Sequence, residues 1–213
     1  MSETRDHAHS HPFQPDDDAG GQTEHMLLVR AMRELLVEKG VYSAEDERRA
    51  IERMDAISPT GGARVVARAW TDPAYKQRLL ADGSAAVREL GLEIGPTRLI
   101  VVENTGNLHN VIVCTLCSCY PRYVLGIPPA WYKARAYRSR VAVEPRKVLA
   151  EFGTDLPDSV EIRVHDSTAD MRYMVLPARP AGTGGWDEDA LASIVTRDCM
   201  IGVSLPLAEL EDA

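Results

Sequence analysis

The chain places three cysteines within six residues, Cys114-Thr115-Leu116-Cys117-Ser118-Cys119, directly behind the apolar run Val111-Ile112-Val113. A strand that ends in such a loop delivers several soft ligands to one point in space, and the surrounding fold has to support that point. The Cys117-Ser118-Cys119 spacing is too short for an unstrained disulfide and suits chelation of a single ion. A metal held by both thiolates would also sit against the amide nitrogens of Ser118 and Cys119, closing chelate rings of about five or six atoms. Such thiolate and amide donors select a transition metal over magnesium or calcium.

Other uses of the cluster make different demands. A structural zinc site takes four ligands in two separated pairs, and no second CxxC is present; Cys199 is the remaining cysteine that could close such a site. An iron–sulfur cluster would need a fourth soft ligand as well. Buried, inert thiols at this density are the third reading. The ligand logic favours a metal centre.

Composition narrows the class. A length of 213 residues supports one domain, or one domain with an arm. With 45% hydrophobic residues the chain can build a packed core. A net charge of −8 argues against a nucleic-acid surface. No apolar run reaches the length of a membrane span. The N-terminal residues lack the apolar core of a signal peptide, and free cysteines suit a reducing compartment, so the expected location is cytoplasmic.

Residues 1–24 read as a disordered tail rich in His and Asp, with His7, His9, His11 and the run Asp16-Asp17-Asp18. Residues 25–62 read as a helical arm. Leu28, Met32, Leu35 and Leu36 recur at helical spacing, Lys39-Gly40 is a stop, and Ser43 with Asp46 forms a capping-box pattern for a second helix to about Met54. Pro59 and Gly61-Gly62 are expected to break the chain. The arm is amphipathic but thin in apolar residues, as suits a segment lying on the chain's own core or on a partner subunit.

Residues 63–213 then form the expected metal-binding catalytic domain. Helices are expected over 63–69, after the Asp72-Pro73 cap, and from Ser84 to Gly91. Strands are expected at 99–102 and 111–113, the second leading into the thiols. Pro121, Pro128 and Pro129 suggest an irregular loop around the site. Pro145 opens a helix to Phe152, residues 160–164 and 171–176 read as strands joined by a turn, and Asp187 caps a last helix. The predicted fold class is α+β: a helical arm followed by a layered α-β-β-α domain.

The segment Cys114-Thr115-Leu116-Cys117-Ser118-Cys119-Tyr120 resembles the metal-binding motif of the α subunit of nitrile hydratases. Ala69-Trp70-Thr71-Asp72-Pro73, Leu80-Ala81-Asp82-Gly83, Val102-Glu103-Asn104-Thr105, Tyr137-Arg138-Ser139-Arg140 and Arg179-Pro180-Ala181-Gly182-Thr183 are similar to that family too. The likeness spans roughly residues 25 to 205. It implies a cobalt(III) centre, with iron(III) as the alternative, bound by the sulfurs of Cys114, Cys117 and Cys119 and the amides of Ser118 and Cys119. Thr115 and Tyr120 match the cobalt-type motif.

The resemblance further implies that Cys117 becomes a sulfinic and Cys119 a sulfenic acid. The trivalent ion would polarise a nitrile and acidify water. The Cys119 sulfenate would either attack the nitrile carbon or activate the attacking water, and either route leads to an amide. Partners implied are a β-type subunit, whose arginines pair with the oxidised cysteine oxygens, and an activator or metallochaperone for cobalt insertion. Arg122 and Arg172 are this chain's own nearby arginines.

Two segments depart from the usual pattern. Arg122-Tyr123 stands where cobalt-type nitrile hydratases commonly carry tryptophan and proline, and Ile94-Gly95-Pro96-Thr97 replaces a Gln-Gly-Glu stretch. Arg122 and Thr196-Arg197-Asp198-Cys199 look more like the γ subunit of thiocyanate hydrolase. Arg122 is therefore expected to line the substrate channel and to favour a polar or anionic substrate, such as thiocyanate or a bulky nucleoside-like nitrile in a three-subunit enzyme. The non-enzymatic alternative is a metal-storage or metallochaperone protein.

Overall fold

The computed structural model describes residues 23–207. The histidines and aspartates expected in the N-terminal tail lie outside the described residues. Helix α1 (Glu24–Glu38) starts where Thr23 Oγ1 accepts the Met26 amide at 3.3 Å. Helix α2 (Ala44–Asp55) carries the predicted capping box. Ser43 Oγ accepts the Asp46 amide at 3.1 Å, and Asp46 Oδ2 accepts the Ser43 amide at 3.0 Å. Neither helix contributes a buried residue. Met26, Leu28, Met32, Leu35, Ile51 and Met54 all stay exposed.

Helix α3 (Pro59–Thr71) corrects the expected break at Pro59 and Gly61-Gly62. Proline occupies the first turn, where its missing amide hydrogen costs nothing, and the glycines lie inside the helix. At Gly62 a Cβ would come within 2.7 Å of Leu125 Cδ2 and of Met200 Sδ. Glycine is there to let α3 approach its neighbours, and that need outweighs its low helix propensity.

Helices α4 (Pro73–Ala81) and α5 (Gly83–Glu89) are capped by Asp72 and Asp82, whose carboxylates accept the Tyr75 and Ala85 amides at 2.9 and 3.0 Å. Strands β1 (Arg98–Glu103) and β2 (Leu108–Val113) follow. Three short helices come next: α6 (Arg122–Leu125), α7 (Ala130–Lys133) and α8 (Arg135–Val141). They replace the irregular loop expected from the prolines. Helix α9 (Pro145–Glu151), strands β3 (Glu161–Asp166) and β4 (Met171–Leu176), and helices α10 (Glu188–Ser193) and α11 (Arg197–Ile201) complete the order.

Consecutive strands do not pair. β1 lies parallel to β4, from Arg98 opposite Met171 to Glu103 opposite Leu176. β2 lies parallel to β3, from Leu108 opposite Glu161 to Val113 opposite Asp166. The two small sheets touch through β2 and β4, with α4 and α5 packed on β1, α9 on β3, and α11 against both β2 and β4. This is the expected α+β class, with helices layered around strands. The core gathers Val65, Val66, Leu79, Val111, Ile112, Met174, Leu176 and Met200, all fully buried. β2 is buried from His109 onward, with hydrogen-bonded His109 and Asn110 followed by the apolar run Val111-Ile112-Val113, and its last residue, Val113, hands a rigid end directly to the cysteine loop.

Candidate metal centre

Cys114 is the first residue past β2 and is buried, Cys119 is half-buried, and Cys117 is exposed. Their sulfurs lie within 4.8 Å of one another. Cys117 Sγ is 3.4 Å from Cys114 Sγ and 3.2 Å from Cys119 Sγ, and the Cys117 amide donates to Cys114 Sγ at 3.2 Å. The thiols of Cys119 and Cys114 both hydrogen-bond Cys117, holding its thiol below the usual range. Burial pushes Cys119 the other way, up to about 12, against the opposing charge of Arg172.

Three convergent sulfurs form a soft donor set that fits a transition metal. Cys199 is not among them. It lies in α11, fully buried, with its thiol donating to the Thr196 carbonyl at 3.0 Å, so a four-cysteine site including it is not formed.

The loop is tied to the end of β3. Asp166 accepts the Thr115 amide on Oδ1 at 3.0 Å and the Thr115 hydroxyl on Oδ2 at 2.5 Å. The next residue, Ser167, donates its amide to the Val113 carbonyl at 2.7 Å, extending the β2–β3 ladder by one rung. At the far end of the loop, Tyr132 from α7 donates its hydroxyl to the Cys119 carbonyl at 2.9 Å. Sequence reasoning missed Asp166, Ser167 and Tyr132. Nothing in their spacing ties them to Cys114: the parallel register of β2 and β3 brings Asp166 and Ser167 there, and the placement of α7 brings Tyr132.

Arg122 opens α6, its amide donating to the Tyr120 carbonyl at 2.8 Å. Its Nε is buried without a hydrogen-bond partner among the described residues. No hydrogen bond joins Arg122 to the thiols, whereas Arg172 on β4 acts on Cys119 through its charge.

Comparison with known proteins agrees with this architecture. Residues 23–204 match the family described as nitrile hydratase, alpha chain. The chain is 52% identical over 184 residues to the low-molecular weight cobalt-containing nitrile hydratase subunit alpha of Rhodococcus rhodochrous, covering 84% of this chain and 87% of that one. It is 48% identical over 192 residues to the thiocyanate hydrolase subunit gamma of Thiobacillus thioparus, covering 84% and 79%. Among solved structures, a recombinant thiocyanate hydrolase with partially modified cobalt centres superposes with a TM-score of 0.82 at 46% identity, covering 88% of this chain and 92% of that one. With a match over nearly the whole described length and the cysteine loop seated at its structural focus, the chain belongs to the nitrile hydratase alpha-chain family.

Proposed function

We propose that the chain is the metal-carrying α subunit of a nitrile hydratase that converts a nitrile to the amide at a cobalt(III) centre. The observation that carries this reading is the convergence of three thiol sulfurs at the end of a buried strand, in a chain of this family. The sulfurs of Cys114, Cys117 and Cys119 and the amide nitrogens of Ser118 and Cys119 would hold the ion. When bound, cobalt(III) would supply Lewis acidity, polarising the nitrile and acidifying water.

The chain's own residues do the rest. Val113 and Asp166 fix the position of the loop. Cys119 carries the reacting sulfur; in the sulfenic form that the family resemblance implies, its oxygen would add to the nitrile carbon or take the proton of the attacking water. In the sulfinic and sulfenic forms implied for Cys117 and Cys119, the added oxygens would be anionic and need donors, because a buried anion is costly unless paired. A β-type subunit supplies these donors, docking on the exposed apolar residues of α1 and α2, with residues 25–62 as the docking arm and 63–213 as the catalytic domain. An activator that inserts cobalt belongs to the same scheme, and the free thiols suit a cytoplasmic setting. Among the described residues, no helix is long and apolar enough to cross a membrane.

A second reading, the γ-type subunit of a thiocyanate hydrolase, is favoured by one observation. Arg122 holds a buried Nε–H with no acceptor, and an anionic substrate would provide one. Turnover of aliphatic, aromatic and heteroaromatic nitriles beside thiocyanate, with the chain purified together with its partners, separates the two. Amide formation supports the first reading and preferential thiocyanate consumption the second. No turnover of either would favour the metal-storage alternative.

A further inference from the structure

The start of the cysteine loop is anchored to one dipeptide, and its far end to Tyr132. Asp166 grips Thr115, just past Cys114, and Ser167 binds the Val113 carbonyl. The Ser167 hydroxyl accepts the Tyr173 amide at 3.4 Å, tying the same residue to β4. Tyr132 donates to the carbonyl of Cys119 at 2.9 Å. Ser167 is buried and Tyr132 fully so. Edge-on packing against Tyr120, at 5.0 Å between ring centroids, and a tilted contact with Tyr137 at 5.7 Å hold the Tyr132 ring in place. A rigid phenol is thus aimed at the backbone of the one cysteine assigned both a metal-binding and a reacting role. A carbonyl held in a fixed direction fixes the plane of the Cys119–Tyr120 peptide, and with it where the Cys119 sulfur can point relative to Cys114 and Cys117.

We propose that Tyr132 is a positioning residue that sets the Cys119 sulfur against the other two and so determines how tightly the loop holds a metal. This rests on the metal-centre reading and adds to it a residue outside the cysteine motif. The phenol contributes through geometry: it touches neither the sulfurs nor a substrate.

Tyr137 supplies the control. It belongs to the same aromatic cluster, is equally buried, and also donates its hydroxyl to a backbone carbonyl, that of Ile112 at 2.8 Å within β2. Tyr132→Phe and Tyr137→Phe each delete one buried phenolic hydrogen bond and keep the ring, and only the first removes a tie to the loop. The experiment compares the two full-length variants with the parent chain in three ways. Cobalt-loaded protein is challenged with a strong chelator and the loss of the sulfur-to-metal absorption band is timed. Metal-free protein is titrated with phenylarsine oxide, which bridges paired thiols. The thermal midpoint of the metal-free protein is also recorded.

Tyr132→Phe should release cobalt about fivefold faster, the factor one hydrogen bond of about 1 kcal/mol carries, shift the absorption band, and weaken arsenical capture. Tyr137→Phe should lower the thermal midpoint by a similar amount and leave both sulfur readouts at the parent value. Equal cobalt release and equal arsenical capture in the two tyrosine variants would overturn the positioning role. Failure of the parent chain to bind cobalt while the arsenical difference persists would sink the metal assignment alone and leave the positioning role standing.

Discussion

Replacing Gly202 with alanine should cost far more than any other glycine substitution near the site. Gly202 caps α11 at φ +92, and a Cβ there would lie 2.1 Å from the carbonyl oxygen of Asn110 on β2. Two penalties add. The left-handed backbone costs a non-glycine residue about 1 kcal/mol. The clash is with main chain that cannot swing aside, so α11 and β2 must separate by about an ångström, an overpacking penalty of about 1–3 kcal/mol. Separation also weakens the 2.8 Å bond from the buried His109 ring to the Gly202 carbonyl, worth about 1 kcal/mol more. The sum is about 3–5 kcal/mol, which for a chain of this size lowers the thermal midpoint by about 6–20 °C.

Gly153→Ala is the matched control. Its φ is +78, but a Cβ would meet nothing within 4 Å, so it should lose only the backbone contribution of about 1 kcal/mol. Urea and thermal unfolding of both variants measure the difference. Because β2 leads straight into Cys114, Gly202→Ala should also spread the thiols and slow arsenical capture, which Gly153→Ala should not. Equal destabilisation of the two variants would refute the close approach of α11 to β2 as the cause.

Other consequences can be checked separately. Arg122→Trp should move relative kcat/KM from thiocyanate and polar nitriles toward small apolar nitriles; an unchanged substrate ranking with weakened subunit association would instead place Arg122 at an interface. Burial holds the pKa of His109 below 6.5, so the unfolded chain takes up a proton there first. Stability from this group is present above pH 6.5 and lost as pH falls toward the depressed value. His109→Gln should therefore flatten the fall in urea midpoint between neutral and mildly acid pH, and an undiminished slope would contradict this. Deleting the residues before Pro59 removes α1 and α2, which hold no fully buried residue, so the thermal midpoint should hold while co-purification with a β-type partner is lost. A large drop in midpoint would show instead that the arm packs on its own core.

Much of this architecture was readable in the residues themselves. The capping box at Ser43 and Asp46, the Asp72-Pro73 helix start and the strand entering Cys114 are local signals, and local hydrogen bonds decide them. The cysteine spacing likewise states its chemistry without help from the fold. Features set by distant packing were not readable. The turn between β3 and β4 reads like a connection between neighbouring strands, yet each strand pairs in parallel with an earlier one, and that choice depends on buried faces far apart in sequence. Gly62 reads as a breaker because its close contacts with Leu125 and Met200 are invisible in the chain. Helices α6, α7 and α11 are too short to display a 3.6-residue period. The anchors of the loop, Asp166, Ser167 and Tyr132, reach it only through tertiary structure.

The central claim is that Cys114, Cys117 and Cys119 together hold a catalytic cobalt ion. The most direct test is elemental analysis of the chain purified from cobalt-supplemented cells, beside the Cys114→Ser, Cys117→Ser and Cys119→Ser variants. A hydroxyl is a poor replacement for a thiolate toward a soft metal. The account predicts stoichiometric cobalt in the parent chain and its loss, with the absorption band, in each variant. Full cobalt retention in any one of them would contradict it.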